Sequence, residues 1–171
     1  MKCNFTLVDL RTANCIKNVG LIVVYFFFSF TPLTSLSQDF APGSLIVARV
    51  GDGSTTLSDA AFPVALIEMT TAGSTSGLKT ITFTSTGAGT KLTQSGIATS
   101  EGEVVLSTDG RYLTVAGYNA TSGTASVKSG TNQGTIALID KTGTVTYPVT
   151  INRTSGHPYS GDNFRSAVTT D

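Results

Sequence analysis

Beyond residue 38 the apolar positions fall in short runs of five to seven residues, rich in Thr and Val and broken by Gly-containing turns. No stretch sustains an apolar face at i, i+3, i+4 and i+7, so the pattern predicts no long helix. Branching at Cβ restricts χ1 in a way that suits a pleated surface, which makes these runs strand candidates. They are 44–50 (SLIVARV), 64–69 (VALIEM), 79–84 (KTITFT), 103–107 (EVVLS), 112–118 (YLTVAGY), 135–140 (TIALID), 144–149 (TVTYPV) and 164–169 (FRSAVT). Turn residues separate them at Gly51-Asp52-Gly53, Ala72-Gly73, Asp109-Gly110, Ser129-Gly130, Thr142-Gly143 and Ser155-Gly156. Asp109-Gly110 carries the strongest hairpin signal, because a tight primed turn needs positive φ at both central residues. Pro148 lies inside its run and assigns that strand to an edge. The expectation is an all-β chain.

Several runs recur in the same order. Leu45-Ile46-Val47-Ala48 returns as Leu113-Thr114-Val115-Ala116, 68 residues on, and Ala65-Leu66-Ile67-Glu68 returns as Ala137-Leu138-Ile139-Asp140, 72 residues on. Ser107-Thr108-Asp109 returns as Thr169-Thr170-Asp171, 62 residues on. Three matches in register imply an internal repeat whose loops absorb the differences in spacing. The unit is four strands, at 103–107, 112–118, 135–140 and 144–149, preceded by three strands of another unit and followed by one of a third. Repeated four-stranded antiparallel sheets describe the blades of a β-propeller, which pack face on face around an axis and protect their edges. A β-sandwich of seven or eight short strands is the alternative. The expected organisation is a signal peptide at 1–37, an incomplete first blade with its connecting loop at 38–100, a complete second blade at 101–150, and a loop with the first strand of a third, truncated blade at 151–171. Such a partial propeller is expected to form an open fan of two sheets, with the strand at 164–169 lying apart or adding to an edge, and to be marginally stable or to associate with itself.

The stretches PGSLIVARVGDGSTTLSDAAFPVALIEMT, SGIATSEGEVVLSTDGRYLTVAGYNA and SGDNFRSAVTTD resemble the N-terminal portion of secreted, uncharacterised bacterial β-propeller proteins. The resemblance covers most of 41–171, and SEGEVVLSTDGRYLTVAGY is its most specific part. It implies the propeller fold and export, and its motifs carry no activity. The chain departs from the pattern at Asp171, where Gly and further blades would follow.

Export is also read from the N-terminus. Lys2, Arg11 and Lys17 precede an apolar run at 19–30 (VGLIVVYFFFSF). As a helix this run spans about 18 Å, against roughly 30 Å of bilayer hydrocarbon, which fits a secretory h-region better than an anchor. Ser35 and Ser37 place small residues at the −3 and −1 positions of a cut before Gln38. An uncleaved signal anchor is the alternative. Both cysteines, Cys3 and Cys15, lie in the removable segment, so the mature chain would hold no disulfide and no thiolate.

Charge narrows the partners. The whole chain carries 11 basic and 11 acidic residues, and residues 38–171 carry 8 and 10. That balance lacks the basic footprint of a nucleic-acid binder, and no membrane contact is expected after signal cleavage. An unknown ligand or surface partner remains. His157 is the only His. Without an orienting carboxylate and a nucleophile it reads as a solvated loop residue, although Ser160 and Asp162 stand nearby. Gly51-Asp52-Gly53-Ser54 has a superficial likeness to calcium loops but lacks the alternating ligands; it reads as a turn in which Gly supplies positive φ. Glu101 and Glu103 are expected to face solvent at a hairpin entrance. No catalytic, cofactor-binding or metal-ligating residue is assigned, and no cofactor is expected. Asn119 and Asn152 each begin an N-x-Thr sequon, usable if the source is eukaryotic. The functional expectation is a non-enzymatic exported module for binding, adhesion or surface display. The alternative is the opening segment of a propeller hydrolase, lyase or quinoprotein whose active site lies in further blades.

Overall fold

A computed structural model describes residues 39–170. Residues 1–38, which include the expected signal peptide at 1–37 with both cysteines and the apolar run at 19–30, lie outside the described residues, as does Asp171. Eight strands follow one another: β1 Leu45–Val50, β2 Ala61–Met69, β3 Thr80–Thr82, β4 Thr93–Ser95, β5 Val104–Leu106, β6 Tyr112–Tyr118, β7 Gly134–Asp140 and β8 Val145–Ile151. They form one open antiparallel sheet in the order β1-β2-β4-β6-β7-β8, with β3 added to β2 and β5 added to β6. The chain is all-β, with no helix among the described residues.

Two groups of strands stand out within this path. In the first, β1 pairs with β2 from Leu45↔Met69 to Val50↔Val64, and β3 lies on the other edge of β2 from Ala65↔Thr82 to Ile67↔Thr80. In the second, β5, β6, β7 and β8 run as a meander, with Val104↔Val115, Leu113↔Ile139 and Ile139↔Val145 in register. Strand β4 joins the groups: it pairs with the start of β2 through Ala61↔Ser95 and with the end of β6 through Thr93↔Tyr118.

Period-two alternation decides what each strand buries. Val64 and Leu66 of β2 and Ile81 of β3 point into a layer shared with Val115 of β6 and with Ala137 and Ile139 of β7. Ile46, Ala48 and Val50 of β1 close this layer on one side, and Val104, Leu113, Val145 and Tyr147 on the other. The other face of β1 and β2 carries Leu45 and Val47, both exposed, with Ile67 and Met69 half-buried beside them. The far face of β6 builds a second layer from Ala116 and Tyr118, joined by Val127 and Phe164 from the loops. Strand β6 is therefore covered on both faces.

The repeated residues keep their hand. Leu113 and Val115 point from the second group toward the first, whereas Leu45 and Val47 point from the first group away from the second. Ile139 and Ile67 differ in the same way. Matching positions of the two runs thus face opposite ways, one set into the shared layer and the other out of it. The hairpins differ by two residues of register, since Val47 faces Ile67 while Leu113 faces Ile139. A slip of two leaves every side chain on its own face.

The acid that ends each repeated run does similar work in both copies. The buried Glu68 carboxylate accepts the Ala41 amide at 2.5 Å, the Ser44 hydroxyl at 2.7 Å and the Lys79 amide at 3.1 Å. Burial opposes its ionisation, but these donors hold Glu68 below the usual carboxylate value. Asp140 Oδ1 accepts the Thr142 hydroxyl at 2.6 Å and the Thr142 and Thr144 amides at 2.9 Å each, fixing the β7–β8 turn.

Three expectations need correction. Strand β2 begins at Ala61 rather than Val64: β4 pairs with Ala61–Pro63 beyond the point where the β1 pairing stops at Val64, so the missing N–H of Pro63 does not end the strand. Strand β4 stands where a connecting loop was expected, because its side chains are buried and Thr93 and Gln94 bond backbone carbonyls. The run at 164–169 forms no strand. It lies over the far face of β6, held by Phe164 and by hydroxyl bonds from Thr114 to Ala167 O and from Thr108 to Thr170 O.

The alternation gives a direct test. Leu66→Ala opens a hole in the shared layer and is expected to cost about 2–5 kcal/mol in urea unfolding, whereas Leu45→Ala on the exposed face should cost under about 1 kcal/mol. Equal losses would contradict the orientation of β1.

Candidate functional site

The long β1–β2 and β6–β7 connections meet at one end of the sheet. Gly51 and Gly53 adopt φ of 80° and 85°, and Asp52 between them turns its carboxylate back on the loop. Its Oδ1 accepts the Ser54 amide at 2.9 Å and the Thr55 amide at 2.8 Å, and its Oδ2 accepts the Thr55 hydroxyl at 3.0 Å. The Thr55 and Ser54 amides, with these hydroxyls, hold the Asp52 carboxyl far below the usual range. This is an Asp-closed turn. The opposing loop is knit to it by Ala61 N to Thr124 O at 2.8 Å, Gly123 N to Ala61 O at 2.8 Å and Val127 N to Asp59 O at 3.1 Å. Ser126, at φ 46° the one non-glycine with positive φ among the described residues, donates its hydroxyl to Asp59 Oδ2 at 2.6 Å.

Between these loops opens a cleft of about 420 Å³. Its walls carry the hydroxyls of Thr55, Thr56, Ser58 and Ser122 beside Asp52, and Phe62 and Pro63 supply apolar surface. A second cavity, of about 240 Å³, lies at the turn end beside Phe40, Leu106 and Tyr112. Both cations there are engaged: Arg111 pairs with Asp109, and Lys141 meets Asp39 at 3.0 Å.

A buried cation organises the loops over the far face of β6. Arg153 is 0% exposed, yet its bonds all run to backbone carbonyls. Nε reaches Tyr159 O at 3.2 Å; Nη1 reaches Val127 O at 3.4 Å and Asn132 O at 3.1 Å; Nη2 reaches Asp162 O at 2.8 Å and also Lys128 O. Its guanidinium also lies 4.6 Å from the Tyr118 ring centroid and 5.6 Å from that of Phe164. Phe164 meets Tyr118 edge-on at 6.1 Å and rests on Gly134, where an added Cβ would come within 2.4 Å of the ring. Sequence reading passed over Arg153 because a single Arg in a loop carries no periodic signal.

Tyr118 links this cluster to Glu101. Its hydroxyl donates to Glu101 Oε1, while Oε2 accepts the Ser95 amide at 2.9 Å. Burial pushes the Glu101 carboxyl above its usual value, against the pull of Tyr118, the Ser95 amide and the Arg153 charge. Burial and the facing carboxylate push the Tyr118 phenol up as well. Glu101 thus departs from the expected solvent-facing position, which Glu103 does occupy. Beside it, Thr93 donates to Ala120 O at 3.1 Å and Gln94 Nε2 to Ala116 O at 2.8 Å. Gln94 Oε1 and Ser95 Oγ are buried without a hydrogen-bond partner among the described residues.

The remaining flagged residues are scattered. Exposed His157 pairs through Nε2 with Asn152 Nδ2 at 3.1 Å, while Asp162 serves Arg153 through its backbone carbonyl, so His157, Ser160 and Asp162 are not assembled as a triad. Asn152 Oδ1 accepts the Thr154 amide at 3.0 Å and hydroxyl at 2.9 Å within its own sequon. Asn119 Oδ1 accepts the Lys91 amide at 2.9 Å. Among the described residues no three His, Cys, Asp or Glu side chains are grouped to hold a metal ion, and no helix is long and apolar enough to cross a membrane. Comparison with protein-family models, curated proteins and solved structures finds no match.

Two outcomes follow from the buried cluster. Arg153→Met leaves five carbonyls without their donor and is expected to lose about 3–5 kcal/mol in chemical unfolding, with protease cuts appearing first in the loops at 126–133 and 154–163. Glu101 has a folded pKa above its ordinary 4.5, so its contribution is fully present below 4.5 and is lost as pH rises through the folded value. Glu101→Gln removes that loss. Unfolding measured from pH 4 to 7 should show the variant gaining on the wild type as pH rises.

Proposed function

We propose that the chain is a repeat module of an exported β-propeller, with a role in binding, adhesion or surface display rather than catalysis. The observation that carries this reading is the head-to-tail hand of the repeat: Leu45 and Val47 turn outward where Leu113 and Val115 turn inward. Stacking of that kind continues from sheet to sheet, as blades do, and leaves an apolar face at the first sheet. The four-stranded meander β5–β8 has the order of a blade, and β1–β3 supply three strands of the preceding one. Export rests on the short apolar run at 19–30 and the small residues ahead of Gln38.

The rigid loop end fits a binding role. Its walls are held by backbone bonds between two connections, so a ligand would meet a surface that needs little ordering. The exposed face of β1, whose strand ends the sheet order, fits self-association of the isolated chain.

Expression with residues 1–37 in an exporting host tests both parts. N-terminal sequencing of the recovered protein should begin at Gln38, and sedimentation should show concentration-dependent association that Val47→Lys reduces. Retention in the cell would remove the export reading, and a monomer at all concentrations would remove the open repeat.

A further inference from the structure

We infer that the cleft between the β1–β2 and β6–β7 loops is a binding site for a neutral saccharide. This rests on the binding-module reading and names the ligand class it would serve. At about 420 Å³ the cleft is within the usual size of small-ligand sites. Its chemistry is selective. None of the residues lining it is Lys, Arg or His, and Asp52 stays ionised well below neutral pH, so phosphate, sulfate and carboxylate ligands meet a negative wall with no counter-charge. A purely apolar ligand would strip water from the hydroxyls of Thr55, Thr56, Ser58 and Ser122 and return no hydrogen bond.

A pyranose satisfies both conditions. Its hydroxyls donate and accept, as the Ser and Thr hydroxyls of the walls do. Its C–H face packs on Phe62 and Pro63. The walls are already set: Asp52 is tied by three local bonds, and the Ser122 hydroxyl is anchored to Ala61 O at 3.5 Å while the Ser122 amide meets Ser85 O at 2.8 Å. Strained Ser126 helps hold the facing loop through Asp59. Such a site loses little conformational freedom on binding.

The test uses the chain as recovered from the exporting host, probed by saturation-transfer NMR and titration with maltohexaose, cellohexaose and xylohexaose, and with heparin hexasaccharide as the polyanion. At least one neutral hexasaccharide should bind, with heparin binding more weakly or not at all. Thr56→Val and Ser122→Ala combined should weaken that binding about tenfold, while Thr146→Val on exposed β8 leaves it unchanged. No binding by any neutral hexasaccharide, preference for heparin, or binding untouched by the double variant would each overturn the inference. An exported chain that fails here leaves the binding-module reading standing. A chain that binds saccharide but is retained in the cell overturns only the export on which that reading depends.

Discussion

Strand β6 must be covered on both faces, and most of the molecule is arranged around that requirement. Leu113 and Val115 on one face meet the layer supplied by β1, β2 and β3. Thr114, Ala116 and Tyr118 on the other have no second sheet among the described residues, so loops and the segment at 164–169 cover them. Burying a face with irregular chain is costly, because every peptide group laid there needs a partner. The solution is local: Thr114 and Thr108 hydroxyls bond the passing carbonyls of Ala167 and Thr170, and Gly134 lets the Phe164 ring approach the backbone.

Arg153 is the tie that makes the cover hold. One planar guanidinium presents five donors, and here they meet carbonyls from two different loops. The charge itself is softened by the Tyr118 and Phe164 rings, and Glu101 behind Tyr118 extends the polar network to β4. A cluster of this kind is costly when incomplete and specific when satisfied. One of the loops that Arg153 anchors, the β6–β7 connection, also meets 59–61 through 123–127 and shapes the cleft. The candidate cleft and the cover over β6 thus share the β6–β7 connection.

The expected strands appear in the structure wherever β-branched residues alternate over enough length to mark a face. β6 is found at Tyr112–Tyr118 as expected; β5 and β6 pair as the expected hairpin, but of Asp109 and Gly110 only Gly110 takes positive φ, so the turn is not the primed type. The exceptions share a cause. β4 is three residues, Thr-Gln-Ser, whose burial depends on distant carbonyls at Tyr118, Ala120 and Ala116. The run at 164–169 has strand-like residues but bonds through side-chain hydroxyls instead of a ladder. Asp52 was legible as a turn because its partners lie two and three residues away. Arg153 was not, because its partners lie 6 to 26 residues away.

The sequence by itself determined the all-β class and the places of the longer strands, because χ1 restriction, turn geometry and alternation act over a few neighbouring residues. It also determined which side chains share a face, since period two leaves no choice once a strand exists. Only the tertiary structure decided which face meets which, that Pro63 joins two pairings within one strand, and that Arg153, Tyr118 and Glu101 form one cluster. Those depend on contacts between segments tens of residues apart, where a carbonyl or a ring becomes a partner only after the sheets have stacked.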